Sequence, residues 1–296
     1  MLARLQRLLC LLLTSLALAW LLGFWSSSPL LALAGLALPV LGYGALLACE
    51  FALLARQHED PAPRPTPAQL LGAWWAELRS GMQVFFWRQP FREHAEPDHL
   101  PAGTRQRGVV FVHGLFCNRG FWAPWMRRAR AWGLPHVAVS LEPVTGSIDA
   151  YVPTIDAAVA RLIAATGQPP VLVCHSMGGL AARAWLRTPG AAARVAHVVT
   201  IASPHSGTWM AQLGHGENAR QMERDSHWLA QLARDEAHAA PVPFTCWYSN
   251  CDNVVFPVST AARAGADNRF LPGQAHVALA FHERVVHDSL QAVRSA

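Results

Sequence analysis

Residues 170–186, Pro170-Val171-Leu172-Val173-Cys174-His175-Ser176-Met177-Gly178-Gly179-Leu180-Ala181-Ala182-Arg183-Ala184-Trp185-Leu186, decide the fold. The short apolar run that opens them is bounded by a proline pair and reads as a buried strand. The Leu, Ala and Arg that close them are good helix formers. Between strand and helix, a serine stands among small residues. That is the layout of a nucleophile elbow, a sharp strained turn that lifts the hydroxyl above the sheet edge, within reach of a base and a substrate. Cys174 occupies a place where glycine is usual, and is still small. A tight strand-to-helix turn with a merely buried serine would use the same residues.

Outward from this turn, short apolar runs alternate with helix-forming stretches. Strands are expected at 109–112, 137–141, 171–174, 195–202 and 244–249, with a weak one ending at Phe270-Leu271. Helices are expected at 119–132 with a break at Pro124, and at 148–165, 177–186, 258–264 and 278–293. Such alternation predicts an α/β fold, a mostly parallel sheet with helices on both faces. Ligands on such sheets bind beyond the carboxyl ends of the strands. No internal repeat interrupts the pattern.

A second turn, His113-Gly114-Leu115-Phe116, ends the first of these strands. Acyl transfer needs backbone donors aimed at the developing oxyanion. The N–H of Met177, directly after the serine, is one candidate, and that of Leu115 is the other. A serine hydroxyl needs a neighbouring base, and in this topology an acid and then a histidine follow it in chain order. Asp252 lies just after a strand, in Tyr248-Ser249-Asn250-Cys251-Asp252-Asn253-Val254-Val255. Asp235 falls in a charged helical run, and Asp267 sits too near the expected histidine. Of 14 histidines, His276 stands in a loop between the last strand and the last helix. His282 and His287 fall inside that helix, while His113 and His175 read as structural hydrogen-bonding neighbours of the motifs.

On these residues the chain from about Gly108 onward resembles the α/β-hydrolases, close to the bacterial triacylglycerol lipases and esterases. The carrying residues are His113-Gly114-Leu115, His175-Ser176-Met177-Gly178-Gly179, Ser203-Pro204-His205-Ser206-Gly207-Thr208, Asp252-Asn253-Val254-Val255 and His276. The resemblance implies Ser176 as nucleophile, His276 as base, Asp252 as its orienting acid, and Leu115 and Met177 as oxyanion donors. It further suggests that residues 206–241, with Trp209, Met210 and an amphipathic stretch around Leu229 and Leu232, cover the pocket as a lid. A helix fixed on the core is the other reading of that insertion. No convincing acidic pair for a calcium site is present, so neither metal nor other cofactor is expected.

Composition supports an enzyme rather than a nucleic-acid binder. All 24 basic residues are Arg, and the net charge of +5 is spread thinly, with the densest cluster at Arg127, Arg128 and Arg130. The six Cys show no metal-ligand spacing; Cys246 and Cys251 would pair only in an oxidising compartment.

The apolar excess lies at the N-terminus. Residues 8–25 and 30–49 are uncharged, each near the roughly 20 residues that cross a bilayer as a helix. Arg4 and Arg7 precede the first run, Arg56 and Arg64 follow the second, and the link Trp25-Ser26-Ser27-Ser28-Pro29 has no charge. The positive-inside rule then gives a transmembrane hairpin with both ends cytoplasmic. A secretory signal peptide cut near Ala17-Leu18-Ala19 is the competing reading, and a periplasmic domain follows if only one run spans.

The expected organisation is a two-span anchor at 1–56, a proline-rich spacer and aromatic juxtamembrane segment at 57–107, and a catalytic domain at 108–296. The aromatics of 69–92 suit either the membrane interface or packing on the domain. The expectation is a serine ester hydrolase anchored in a bacterial inner membrane, with its catalytic domain on the cytoplasmic side and the periplasmic face as alternative. Its substrate would be an acyl ester or lipid. A thioesterase or acyltransferase would use the same residues, and a catalytically silent scaffold is the rival of a different class.

Overall fold

A computed structural model describes residues 1–57 and 60–295; His58 and Glu59, at the start of the expected spacer, lie outside the described residues. Helices α1 (Leu2–Phe24) and α2 (Pro29–Ala55) pack against each other as an antiparallel hairpin. Ser28 caps α2, its hydroxyl accepting from Leu31 N–H, and Pro29 takes the first turn, where its missing N–H leaves no bond unmade. Both helices are long and apolar enough to cross a membrane. Helix α3 (Pro67–Gln83) opens with a full capping box: Thr66 accepts from Gln69 N–H while the Gln69 side chain accepts from Thr66 N–H. Such a cap contributes about 1 kcal/mol. A π-helical turn over Val84–Arg88 and the short α4 (Gln89–Phe91) follow.

The body then winds through β1 (Val109–Val112), α5 (Ala123–Ala131), β2 (His136–Ala138), α6 (Val152–Thr166), β3 (Val171–His175), α7 (Met177–Leu186) and β4 (His197–Ile201). Helices α8 (Glu217–Met222) and α9 (His227–Glu236) precede β5 (Phe244–Tyr248) and β6 (Asp267–Phe270), and α10 (His276–Ala280) and α11 (Glu283–Ser295) close the body. The six strands form one sheet in the order β2-β1-β3-β4-β5-β6, each pair parallel. The central strands β1 and β3 are buried throughout. Their alternate residues feed opposite faces: Val110, Val112, Leu172 and Cys174 join one core, Val109, Phe111, Val171 and Val173 the other. This is the expected α/β-hydrolase architecture, with the apolar hairpin in front of it.

Four elements differ from the sequence reading. The helix expected at 258–264 is a single 3-10 turn over Val258–Ala261. Residues 119–122 form a 3-10 turn, and Pro124 falls in the first turn of α5, so it starts the helix instead of breaking it. Helix 148–165 likewise begins as a 3-10 turn through Tyr151. The expected final helix is two, α10 and α11. The Trp125 indole N–H takes the Ala280 carbonyl at 2.8 Å, an acceptor that a continuing helix would use for its own next turn. His276 therefore opens a helix where a loop was expected.

The aromatic segment before residue 108 packs on the body. Val84 is fully buried in the same core as Phe121 and Trp122, and Ala73 in a smaller one with Phe256. Within 206–241, α9 buries Leu229 and Leu232 in the main core. Glu236 at its end accepts two hydrogen bonds from the buried Arg183 of α7, each 2.8 Å.

Candidate active site

The elbow is strained where the sequence pattern requires it. Ser176 sits between β3 and α7 at φ 54° and ψ −129°, a conformation few side-chain-bearing residues adopt. Its N–H is tied to the Ile201 carbonyl of β4 at 2.9 Å. Close approach explains the glycines on either side. A Cβ on Gly178 would collide with the Val112 carbonyl oxygen, and one on Gly114 would come within 2.7 Å of Ser176 Cβ. The end of β1 and the start of α7 are thus in backbone contact, with the serine wedged between them.

Ser176, Asp252 and His276, read from separate parts of the chain, converge beyond the carboxyl ends of β3, β5 and β6. The His276 ring meets Asp252 through Nδ1, 2.9 Å from Oδ1 and 3.1 Å from Oδ2. Asp252 Oδ1 also accepts from the N–H groups of Val254 and Val255, at 3.0 and 2.8 Å, which fixes the carboxylate in its loop. Ser176 and His276 line one cavity of about 470 Å³, and both are almost fully buried. Among the described residues no hydrogen bond joins the Ser176 hydroxyl to the His276 ring. The other acids lie elsewhere: Asp235 pairs with Arg187 and Asp267 with Arg269.

Leu115 lines the same cavity, and the N–H groups of Leu115 and Met177 have no acceptor among the described residues. His113 stiffens that turn. Its Nε2 accepts from Leu141 N–H at 3.0 Å, so Nδ1 carries the proton and donates to the Gly114 carbonyl at 2.8 Å. Burial pushes its pKa down to about 4, so the ring is neutral. His175 donates from Nε2 to the His276 carbonyl at 3.1 Å and stacks on Phe121. Both neighbours of the motifs are structural, as expected.

Two carboxylates that the sequence reading missed also reach the site, both from the N-terminal segment. Glu77 of α3 is fully enclosed; its oxygens accept from the N–H groups of Val277 and Ala278 at 2.9–3.0 Å, capping the helix that carries His276. Glu50 of α2 accepts from Asn253 Nδ2 at 2.6 Å, while Asn253 Oδ1 accepts from His276 N–H at 3.2 Å. His276 is thereby held by its ring, its own N–H and the two N–H groups after it. An acid near the end of an otherwise apolar helix was the one available signal. Glu77 had none, since its partners lie 200 residues away.

Charge follows from this geometry. Burial works against a charged His276 and is the largest single influence. The Asp252 charge and hydrogen bond, with Glu77 and Glu50 behind them, outweigh it and raise the pKa above the ordinary 6.5. Burial pushes the Glu77 carboxyl up to about 7, against the pull of His276 and the two backbone donors.

The cavity wall is shared between body and hairpin: Leu115, Met210 and Met222 face Tyr43, Leu46 and Leu47 of α2. Among the described residues no group of His, Cys, Asp and Glu is placed to hold a metal ion. All six Cys are free thiols; Cys246 and Cys251, which the sequence left able to pair, are each buried and unpaired.

Comparison with known proteins agrees with this fold. No curated protein matches the chain in sequence. Among solved structures, the mature lipase BlEst2 of Bacillus licheniformis superposes with a TM-score of 0.57 at 16% identity, over 66% of this chain and 96% of that one. Lipase B of Aspergillus fumigatus gives 0.55 at 18%, over 69% and 61% of the two chains. Phospholipase PlaB of Legionella pneumophila gives 0.51 at 18%, over 65% and 60%. At such identities the likeness is one of fold. The profile of the alpha/beta hydrolase family, however, matches residues 109–291, well over half of the chain and every residue of the elbow and its partners. The chain therefore belongs to the alpha/beta hydrolase family.

Proposed function

We propose that this protein is a membrane-anchored serine ester hydrolase. The observation that carries the reading is the His276–Asp252 pair, 2.9 Å apart, whose histidine lines the same cavity as a serine on a strained strand-to-helix turn. Ser176 Oγ attacks the ester carbonyl carbon as His276 Nε2 takes its proton. The oxyanion rests against the N–H groups of Leu115 and Met177. When the carbonyl re-forms, the bond to the alcohol oxygen breaks and His276 returns the proton to the leaving alcohol. Water, deprotonated by the same ring, then attacks the acyl-enzyme and releases the carboxylic acid and Ser176. Asp252 keeps the proton on Nδ1 and faces the imidazolium as it forms.

Residues 1–56 serve as the anchor and 108–296 carry the catalytic domain, with Trp209–Leu213 and α8 forming the part of 206–241 that faces the substrate. The arginines at the outer ends of the hairpin support a body on the cytoplasmic side by the positive-inside rule, with the periplasmic face as the alternative. The decisive experiment is labelling by a fluorophosphonate probe in the parent and in Ser176→Ala. Labelling in the parent alone is expected; equal labelling in both would refute the assignment. For orientation, a C-terminal alkaline phosphatase fusion should be inactive and a C-terminal fluorescent-protein fusion bright. An active phosphatase fusion would place the body in the periplasm.

A further inference from the structure

The hairpin meets the body only at its base. Arg7 donates to the Pro90 carbonyl at 2.9 Å, and Trp74 Nε1 to the Gly44 carbonyl at 2.8 Å. Leu47, Phe51 and Leu54 of α2 are buried there, whereas most of the leucines from Leu11 to Leu41 are exposed. Those exposed flanks need hydrocarbon around them. Along the hairpin, α1 and α2 leave a groove of about 500 Å³, walled by Leu13, Leu16 and Trp20 on one side and by Leu38 and Gly42 on the other. No charged side chain lines it. Its lower end is formed by Tyr43 and Leu46, and the same two residues line the cavity that holds Ser176. One apolar wall thus runs from the middle of the hairpin to the serine.

The rim of the body supports this placement. Phe116, Trp87 and Trp75 are 54%, 58% and 55% exposed, which is unusual for such side chains. Each adjoins the hairpin base: the Phe116 carbonyl accepts from Gln6, Trp87 packs on Phe91 beneath Arg7, and Trp75 packs on Trp74 beside Gly44. Aromatic rings at this level suit a headgroup boundary. On this placement the hairpin side of the cavity wall, Tyr43, Leu46 and Leu47, lies toward the bilayer.

We infer that the groove between α1 and α2 is an acyl-chain site, through which a membrane-resident lipid ester threads its chain from the bilayer to Ser176. The inference rests on the ester-hydrolase reading for its chemistry, but the binding site stands apart from it. The occupant is a long hydrocarbon chain. The groove offers it contact without charge, and burying each methylene there exchanges lipid for fitted protein walls instead of water.

Gly42 supplies the test. A Cβ there meets nothing within 4 Å, so a side chain at this position enters the groove without moving the backbone. Gly23 is equally open but lies outside the groove, and makes a matched control. The full chain in phosphatidylcholine nanodiscs is assayed with p-nitrophenyl palmitate and p-nitrophenyl butyrate. Gly42→Trp should lower the palmitate-to-butyrate ratio on the order of tenfold or more, and Gly23→Trp should leave both rates unchanged. An unchanged ratio in Gly42→Trp overturns the inference. A diazirine-bearing palmitate gives a readout independent of turnover: on irradiation of the parent it should label residues 38–46 and Leu13 or Leu16, and Gly42→Trp should suppress that label. Labelling only on the outer flanks overturns the site, even if the esters are hydrolysed. If neither ester is turned over, the hydrolase reading fails, and the photolabel still decides the groove.

Discussion

The body from β1 onward and the segment before it solve opposite problems with the same alphabet. In the body, apolar residues are spent inward: β1 and β3 are wholly buried, and arginines drawn into the interior meet acids, Arg183 with Glu236 and Arg187 with Asp149 and Asp235. In the hairpin, leucines face outward and the buried positions are few. Yet the N-terminal segment sends two acids, the half-buried Glu50 and the buried Glu77, toward the histidine of the body. The family fold carries Ser176, Asp252 and His276, and the segment in front supplies part of what holds the histidine. The proposed chemistry and the proposed anchor are therefore separable on paper and joined in the molecule.

This division breaks most sharply at the serine. If the body alone carries the chemistry, Ser176→Ala should lower ester turnover by a factor on the order of 10⁴ or more without altering the thermal midpoint. A surviving rate within tenfold of the parent would move the nucleophile elsewhere. Asp252→Asn comes next. It keeps the shape but favours the wrong imidazole tautomer, so kcat should fall by roughly 10³–10⁴ with little change in KM. An unaffected kcat would leave His276 without need of its acid.

Glu77 sharpens the comparison from the other side. Glu77→Ala leaves the buried N–H groups of Val277 and Ala278 without a partner, at about 1–3 kcal/mol for each unsatisfied donor. A lowered melting midpoint together with reduced kcat is expected. Full stability in this variant would show that α3 is merely appended to the body.

The smallest effect is a shift in pH dependence. His276 binds its proton more tightly folded than unfolded. Its contribution to stability is fully present below the ordinary 6.5 and is lost as pH rises through the raised folded value. Activity runs the other way, because the base must be neutral, so kcat/KM should rise through that same folded value. Glu77→Gln removes one of the negative groups that raise it. The acid limb of the pH–rate profile should move to lower pH, by less than one unit by the usual scale of a secondary charge. A limb that stays in place would mean that Glu77 only caps α10.

The sheet and the strand-to-helix turn were legible because each has a local signature, and the structure brings the three residues proposed to react, Ser176, Asp252 and His276, to one end of that sheet. Val171–His175 announces itself by apolar β-branched residues, and Ser176 by the small residues that backbone contact demands. Asp252 and His276 follow from chain order once the topology is fixed. What stayed hidden depends on distant contacts. Pro124 reads as a breaker until its position in the first turn is known. The split between α10 and α11 depends on an indole 155 residues away. The aromatics of 69–92 leave membrane and body equally open, because rings suit both; in the fold Trp74 and Phe85 pack against the body's cores while Trp75, Trp87 and Phe91 stay exposed.

The cap that Glu77 places on α10 also bears on redesign. A cut just ahead of β1, where the family profile begins, would discard the acid and leave two orphaned donors beneath His276. A cut between α2 and α3 would keep Glu77 but lose Glu50 and open one side of the cavity to solvent. A water-soluble version is better reached by exchanging for polar residues only those outward leucines of α1 and α2 that line neither the groove nor the cavity, while keeping Leu13, Leu16, Leu38, Gly44, Leu46, Leu47, Glu50 and Phe51. Such a variant retains the brace and both apolar surfaces behind Ser176.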